Sequence, residues 1–306
     1  MNSKLFITIL ALLVQVPLPS QQEANDFVEV CSGEGQLSRA LWSCKFQGKA
    51  FDVLYSKNHN FLRTVGFMAV LSAVRNTRRG GLLFFAPPCS TWVFLSSPST
   101  GRSWLTPEGF GTRCVVLANI FVMRMLYILF YAWRRGVYVA IEQPISSVLF
   151  DWPPVKRLLS FIGARKITFP MGSYGSPTLK YTTIWSTLPG ISSLRRPLDV
   201  KQLRLSLARN SVNLVKKTVD KKGRRRVAGI KRELALSANY PREFGLALAA
   251  LLPRPGVRPT DDAVDLTYPN GSDHLGSLDD LTKGPTKAWW RKHTRSGLMG
   301  GKLMKS

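Results

Sequence analysis

The sequence predicts an α/β fold: a doubly wound sheet with helices on both faces. From residue 26 onward, short apolar runs alternate with helix-like stretches, which is the pattern of βαβ units. Several of these runs end abruptly at Gly, Pro or Glu, as strands do where the chain leaves a sheet. The chain has 306 residues, of which 45% are hydrophobic, so one large domain with a sizeable core is expected.

The individual elements follow from these runs. Strands are predicted at 27–31, 50–54, 82–86 and 137–141, with two more near 166–169 and 182–185, and helical segments at 36–46, 66–75, 114–133 and 240–252. The apolar stretch 114–133 is long, but Arg124 lies at its centre, and a charge at the middle of a bilayer costs several kcal/mol. We therefore predict a helix packed between the sheet and an outer layer, and no stable membrane span.

Four segments are predicted along the chain. Residues 1–25 form a signal-like or disordered N-terminal segment, 26–189 the core, 190–252 a basic segment with a closing helix, and 253–306 a disordered basic tail. The apolar start has the proportions of a secretory signal without a clear cleavage site. A membrane-proximal start and a wrongly placed first exon are equally consistent with it.

The charge balance points to an anionic partner. Lys and Arg total 43 against 18 Asp and Glu, a formal net charge of +25. Such a chain gains affinity for polyanions by releasing their counterions, so nucleic acid or an anionic membrane surface is a natural partner, and nucleic acid is favoured. The alternative is that scattered Lys and Arg merely solvate the surface. The basic residues crowd between 195 and 232, and the predicted nucleic-acid contacts there are Lys216, Lys217, Lys221, Lys222, Arg224, Arg225 and Arg226.

Metal and disulfide chemistry are not indicated. The four cysteines form no CxxC pair, and the three histidines do not cluster with them at zinc spacing. We predict no metal site.

The first candidate site lies between the first predicted strand and helix. Gly33 and Gly35 let the backbone approach a ligand closely, and the helix start adds partial positive charge. Asp52 follows about twenty residues later, at the end of the second strand, where a Rossmann-type sheet places an acid against a ribose. The pattern favours an adenosine-type cofactor; the alternatives are an ordinary turn and a surface Asp.

Two further candidates also lie at strand ends. Cys89 follows a strand and two prolines, so it is presented at the carboxyl edge of the sheet, whereas the other cysteines are typical buried residues. Glu142 closes the otherwise apolar strand 137–141, and a carboxylate there needs a partner to offset its desolvation. The alternative for Glu142 is a solvated strand end.

Taken in order, these segments resemble the DNA cytosine-5 methyltransferases over residues 26–186. Val-Glu-Val-Cys-Ser-Gly-Glu-Gly at 28–35 resembles their first, cofactor-binding motif, and Ala-Pro-Pro-Cys-Ser at 86–90 looks like their Pro-Cys motif. Ile-Glu-Gln-Pro at 141–144 is similar to their Glu-Asn-Val motif, and 174–180 to Gly-x-Pro-x-x-Arg. Ser90 stands where the family has Gln, Gln143 where it has Asn, and Lys180 where it has Arg.

The resemblance implies a Rossmann-type methyltransferase sheet that binds S-adenosylmethionine through Gly33, Gly35 and Asp52. It implies that Cys89 attacks C6 of a flipped cytosine and that Glu142 contacts N3 of the base. Lys180 joins the predicted nucleic-acid contacts.

The function expected on this basis is methyl transfer to cytosine C5 in DNA by a monomer. A catalytically inactive relative that binds nucleic acid through the basic segment is the rival. Methyl transfer to a nitrogen is a third alternative, although those enzymes usually carry an aromatic residue after the prolines. A protein that acts on DNA is expected in the nucleus or an organelle, whereas the N-terminus resembles a secretory signal.

Overall fold

The computed structural model of the chain describes residues 24–176, 178–196, 215–219, 223, 225–229 and 238–254. All of them belong to one compact unit, 18–266. The predictions of a signal-like segment at 1–25 and a disordered tail at 253–306 therefore fall almost wholly outside the described residues.

The described residues form two sheets and a set of helices. The strands are β1 (Asn25–Val30), β2 (Gly48–Phe51), β3 (Thr77–Phe85), β4 (Tyr138–Pro144), β5 (Arg165–Pro170), β6 (Tyr181–Ser186), β7 (Val215–Val219) and β8 (Arg225–Gly229). The α-helices are α1 (Gln36–Ser43), α2 (Thr64–Arg75), α3 (Ser97–Thr100), α4 (Arg113–Arg134), α5 (Pro153–Phe161) and α6 (Arg242–Ala249). Short 3₁₀ turns lie at Lys57–His59, Phe94–Ser96, Leu149–Asp151, Met171–Tyr174 and Ile191–Leu194.

The main sheet has six strands in the order β2-β1-β3-β4-β6-β5. Strands β2, β1, β3 and β4 pair in parallel, whereas β6 is antiparallel to both of its neighbours. The sheet is therefore mixed. A second, two-stranded antiparallel sheet pairs β7 with β8 inside the predicted basic segment.

Helices cover both faces of the main sheet, as predicted. On one face, Phe27, Phe84 and Ala140 pack in a single core cluster with Leu41 of α1 and Phe244 of α6. On the other face, α2 contacts β1 and β3, and α4 contacts β3 and β4. Every residue of β1 is buried, which is the burial expected of a strand covered on both sides.

The apolar helix α4 packs on the sheet, and half of its most apolar window is buried within the fold. By length and composition it is the one helix among the described residues that could cross a membrane. Its outward residues Val116, Leu117 and Ile120 are exposed, so the predicted outer layer does not enclose it within the described part of the chain.

Two boundaries differ from prediction. The third strand was predicted to begin at residue 82, but β3 begins at Thr77 and includes Gly80 and Gly81. The second strand ends at Phe51 rather than Leu54, so Asp52 is the first residue beyond it. In both cases the pairing with β1 determines where the strand begins or ends. This tertiary pairing overrides the local preference of the glycines and of the apolar run.

The end of α1 carries a strained residue. Lys45 has φ 69°, and the N–H of Phe46 donates to the carbonyl of Leu41, the closing bond of a Schellman motif. An L-residue in this left-handed conformation costs about 1 kcal/mol, and glycine avoids most of that. We expect Lys45→Gly to raise the free energy of unfolding by about 1 kcal/mol in urea titrations. Lys156→Gly, inside α5, should lower it by a similar amount, and a loss in both variants would contradict the account.

Candidate functional site

The predicted site residues lie along the carboxyl edge of the parallel strands. β1 is at a topological switch point, because the chain leaves it for β2 on one side and then passes to β3 on the other. Open α/β sheets bind ligands outside the strand ends at such points. Residues 31–35 follow β1, Asp52 follows β2, 86–89 follow β3, and Glu142 lies near the end of β4.

The turn after β1 has left-handed backbone at alternate positions. Cys31, Gly33 and Gly35 have φ of 62°, 55° and 72°. A Cβ added at Gly33 would meet no heavy atom within 4 Å, so this residue faces open space, whereas one at Gly35 would lie 2.6 Å from the hydroxyl of Tyr55. The backbone of the turn is thus accessible at Gly33, where a side chain would project into the open space in front of it.

Asp52 is joined to this turn by a hydrogen bond. The N–H of Gly33 donates to Oδ2 of Asp52 at 2.9 Å, and the N–H of Leu54 donates to Oδ1 at 2.9 Å. The structure therefore brings together the first two elements of the predicted cofactor site. Each carboxylate oxygen keeps acceptor capacity, because it has a second lone pair.

Glu29 is a buried acid that the sequence analysis did not single out. It lies on β1, fully buried, and its Oε2 accepts hydrogen bonds from the backbone N–H and the hydroxyl of Ser38 in α1. Its Oε1 is buried without a hydrogen-bond partner. Burial raises the pKa of Glu29 to about 7, against the opposing hydrogen bonds from Ser38. A charged residue at an inward position of an apolar strand was the signal that could have found it.

This acid predicts a pH dependence of stability. A folded pKa of about 7, above the ordinary 4.5, means that folding favours the protonated form. The stabilisation is complete below pH 4.5, is lost as pH rises through 7, and amounts to about 3 kcal/mol. We expect Glu29→Gln to remove this component from the unfolding free energy measured between pH 4 and 8. The exposed Glu243→Gln should keep the wild-type dependence; an unchanged profile in Glu29→Gln would contradict the prediction.

The loop that carries Cys89 is anchored from two sides. The buried Gln143 donates from Nε2 to the carbonyl of Pro87 at 2.6 Å and accepts at Oε1 from the hydroxyl of Ser147. After the cysteine, the N–H of Trp92 donates to the carbonyl of Cys89 at 2.8 Å. Gln143 therefore positions the cysteine loop.

The indole of Trp92, which follows Cys89 in this loop, packs against the buried guanidinium of Arg102. The guanidinium of Arg102 lies 3.4 Å from the ring centroid of Trp92 and donates to the side-chain oxygen of Asn119. Burial lowers the pKa of Arg102 to about 10, which still leaves it charged at neutral pH. A cation held over an indole stabilises the loop conformation.

Glu142 lies buried within a group of polar side chains. Nζ of Lys180 is 3.5 Å from its Oε1, and the hydroxyl of Tyr240 donates to its Oε2 at 3.1 Å. The desolvation expected for a carboxylate at this strand end is thus offset by one hydrogen bond and one ion pair. The solvated alternative is excluded, because Glu142 is only 4% exposed. Lys180 lies inside the site, while its contact with nucleic acid stays a prediction.

Cys89 lies within the electrostatic field of the same group. Burial raises the pKa of its thiol, the ammonium of Lys180 lowers it, and the carboxylate of Glu142 raises it. The two predicted catalytic residues follow or end adjacent strands, β3 and β4, and Gln143 joins these strand ends through the carbonyl of Pro87. Cys89 is mainly a thiol in the free protein, and Lys180 is the side chain that lowers the pKa of this thiol.

Four of the predicted nucleic-acid contacts fall on the two-stranded sheet. Lys216 and Lys217 lie on β7, and Arg225 and Arg226 on β8. Lys216 is exposed. Lys221, Lys222 and Arg224 lie outside the described residues. These residues thus belong to a different sheet from the strand-end residues of the candidate site, and they lie in a different part of the sequence.

The fold and the site define an α/β protein with a mixed sheet and a polar cluster at the carboxyl edge of its parallel strands. No protein-family model matches the chain, and no curated protein is significantly similar to it. Within the described residues, no group of three or more His, Cys, Asp or Glu side chains is arranged to hold a metal ion.

Proposed function

We propose that this chain is an S-adenosylmethionine-dependent methyltransferase that acts on cytosine C5 in DNA. The observation that carries the proposal is the shared sheet edge. An open glycine turn with its acid, and a cysteine beside a buried carboxylate, lie at the ends of adjacent strands. Helices on both faces and the switch point at β1 support the finer assignment of the sheet to the Rossmann-type methyltransferase class.

The residues around Gly33 fit an adenosine-type cofactor. Gly33 offers space that any side chain would fill, and Gly35 lets the backbone turn directly into α1, whose start favours negative charge. Asp52 is placed to accept a hydrogen bond from a ribose. S-adenosylmethionine, when bound, supplies the methyl group.

The chain's own residues act on the base. The Cys89 thiolate forms a bond from Sγ to C6, which moves an electron pair towards C5, the carbon that accepts the methyl group. The methyl transfer would release S-adenosylhomocysteine, and loss of the C5 proton to water would then restore the double bond and release the thiolate. Glu142 holds the ring by a contact at N3, and burial keeps water from competing for that contact.

Methyl transfer to DNA tests the proposal. The full chain is incubated with S-adenosylmethionine carrying a labelled methyl group and cytosine-containing duplex DNA, and the digested nucleosides are analysed by mass spectrometry. We expect labelled 5-methylcytosine. A label on adenine, or on the exocyclic nitrogen of cytosine, would favour transfer to nitrogen and contradict the proposal.

The two-stranded sheet formed by β7 and β8, called the basic hairpin below, favours a second candidate function. This function is nucleic-acid binding without catalysis. A two-stranded antiparallel ribbon has the dimensions to enter a DNA groove, and an exposed Lys216 lies on it. Binding through such residues is dominated by phosphates and depends little on sequence.

Neutralising the hairpin tests its role. The variant replaces Lys221, Lys222, Arg224, Arg225 and Arg226 by Gln. If the five residues contact five phosphates, the slope of log affinity against log salt should fall by roughly 4 to 5 for duplex DNA, measured by fluorescence anisotropy. Replacing five basic residues elsewhere, Lys156, Arg157, Arg165, Lys166 and Arg242, serves as the charge-matched control. Equal slopes in the two variants would show that only net charge matters.

A further inference from the structure

The segment that closes the fold returns to the candidate site. Tyr240, just before α6, is buried, and its hydroxyl donates to Oε2 of Glu142 at 3.1 Å. Its ring meets Phe84 of β3 edge-on at 5.8 Å and lies 5.3 Å from Phe244. We propose that Tyr240 is a positioning residue that fixes the Glu142 carboxylate for the base, an inference that rests on the proposed function.

The hydrogen bond determines which carboxylate oxygen is left for a ligand. Tyr240 occupies Oε2, whereas Oε1 is buried, has no hydrogen-bond partner, and has only the ammonium of Lys180 at 3.5 Å. A buried acceptor without a partner is costly, so binding is favoured for a group that donates a hydrogen bond to it. Oε1 is therefore the oxygen that meets the base, where the exocyclic amino group of cytosine, or N3 once it carries a proton, donates to it.

Without Tyr240, the carboxylate would lose its orientation. The terminal torsion of Glu is broad, and the remaining partner is an ammonium on a flexible stem. Tyr240 is a rigid donor by contrast, because the rings of Phe84 and Phe244 pack against its side chain. Burial and the charges of Glu142 and Glu29 raise its pKa well above 10, so the hydroxyl keeps its proton.

The test compares two Tyr→Phe variants that differ in the partner they lose. Tyr240→Phe removes the hydroxyl bound to Glu142, and Tyr174→Phe removes one bound to the backbone carbonyl of Leu194 at 2.6 Å in the same core cluster. Both rings stay in place, so similar losses of Tm are expected. The rate of methyl transfer should fall about 10- to 100-fold in Tyr240→Phe only, with the KM for S-adenosylmethionine unchanged.

A crystal structure of each variant provides a readout that does not depend on activity. In Tyr240→Phe the Glu142 carboxylate should rotate or lose order, while in Tyr174→Phe it should stay as in the wild type. Equal effects of the two variants on rate, or an unmoved Glu142 in Tyr240→Phe, would overturn the inference. If the wild-type protein transfers no methyl group, the proposed function fails. The position of Glu142 in the two crystal structures then shows by itself whether Tyr240 positions that carboxylate.

Discussion

Cys89→Ser should abolish the covalent adduct that the wild-type chain forms with DNA containing 5-fluorocytosine. Fluorine at C5 cannot leave as a proton does, so the bond between Sγ and C6 persists after methyl transfer. A serine hydroxyl is a far weaker nucleophile near neutral pH, and loss of a nucleophile typically lowers rates by about 10³-fold or more. The adduct is measured by denaturing electrophoresis and intact mass.

The pH dependence of adduct formation distinguishes this chemistry from non-specific capture. Because burial raises the pKa of Cys89, the thiolate fraction and the adduct rate should increase as pH rises through the neutral range. Lys180→Met should slow the reaction, since that ammonium lowers the thiol's pKa. Cys44→Ser, at an exposed cysteine, is the matched control and should react like the wild type. An adduct that survives in Cys89→Ser would remove Cys89 from the mechanism.

Gly33→Leu should eliminate binding of S-adenosylmethionine while leaving the fold intact. The added side chain meets no protein atom within 4 Å of its Cβ, so it occupies only the space in front of the turn. We expect affinity measured by calorimetric titration to fall at least about 100-fold, which corresponds to about 2.7 kcal/mol. Gly35 is less suitable, because its Cβ would press against the Tyr55 hydroxyl and disturb the turn itself.

Placing a leucine at the positive φ of Gly33 lowers stability through the backbone alone, and the structure offers a matched control for this loss. Gly163 has φ 65°, close to the 55° of Gly33, and it too faces open space. It lies just before β5, at the amino edge of that strand and away from the site. Gly163→Leu should therefore lose a similar amount of stability and bind the cofactor normally. Unchanged affinity in Gly33→Leu would exclude the turn as the cofactor site.

Much of the fold was predictable because the hydrophobic pattern records burial. The runs around Val28, Leu83 and Val139 became central strands, since a strand covered on both faces is apolar throughout. The order of the strands was not predictable in the same way: pairing between β4 and β6 depends on contacts distant in sequence. The helix α5 was not predicted, although it starts with two prolines, which are compatible with the first positions of a helix.

The site was predictable where the sequence places polar residues at strand ends. Cys89 and Glu142 were chosen as candidates in this way, and Asp52 by its spacing from Gly33; their roles stay predictions. Gln143 and Tyr240 were not recognised as site residues: the first acts on the carbonyl of Pro87, and the second lies 98 residues from Glu142. No local pattern reports a hydrogen bond between such distant segments. Arg102 was also missed, because no sequence pattern reports that a cation stacks on a particular ring, here that of Trp92.

A crystal structure of the full chain with S-adenosylhomocysteine tests the central claim most directly. The account predicts that the nucleoside lies at the carboxyl ends of β1 and β2, against Gly33, with a ribose hydroxyl within hydrogen-bond distance of the Asp52 carboxylate. It also predicts that the sulfur faces the side of the site that holds Cys89 and Glu142. A ligand bound elsewhere, or none at saturating concentration, would contradict the account.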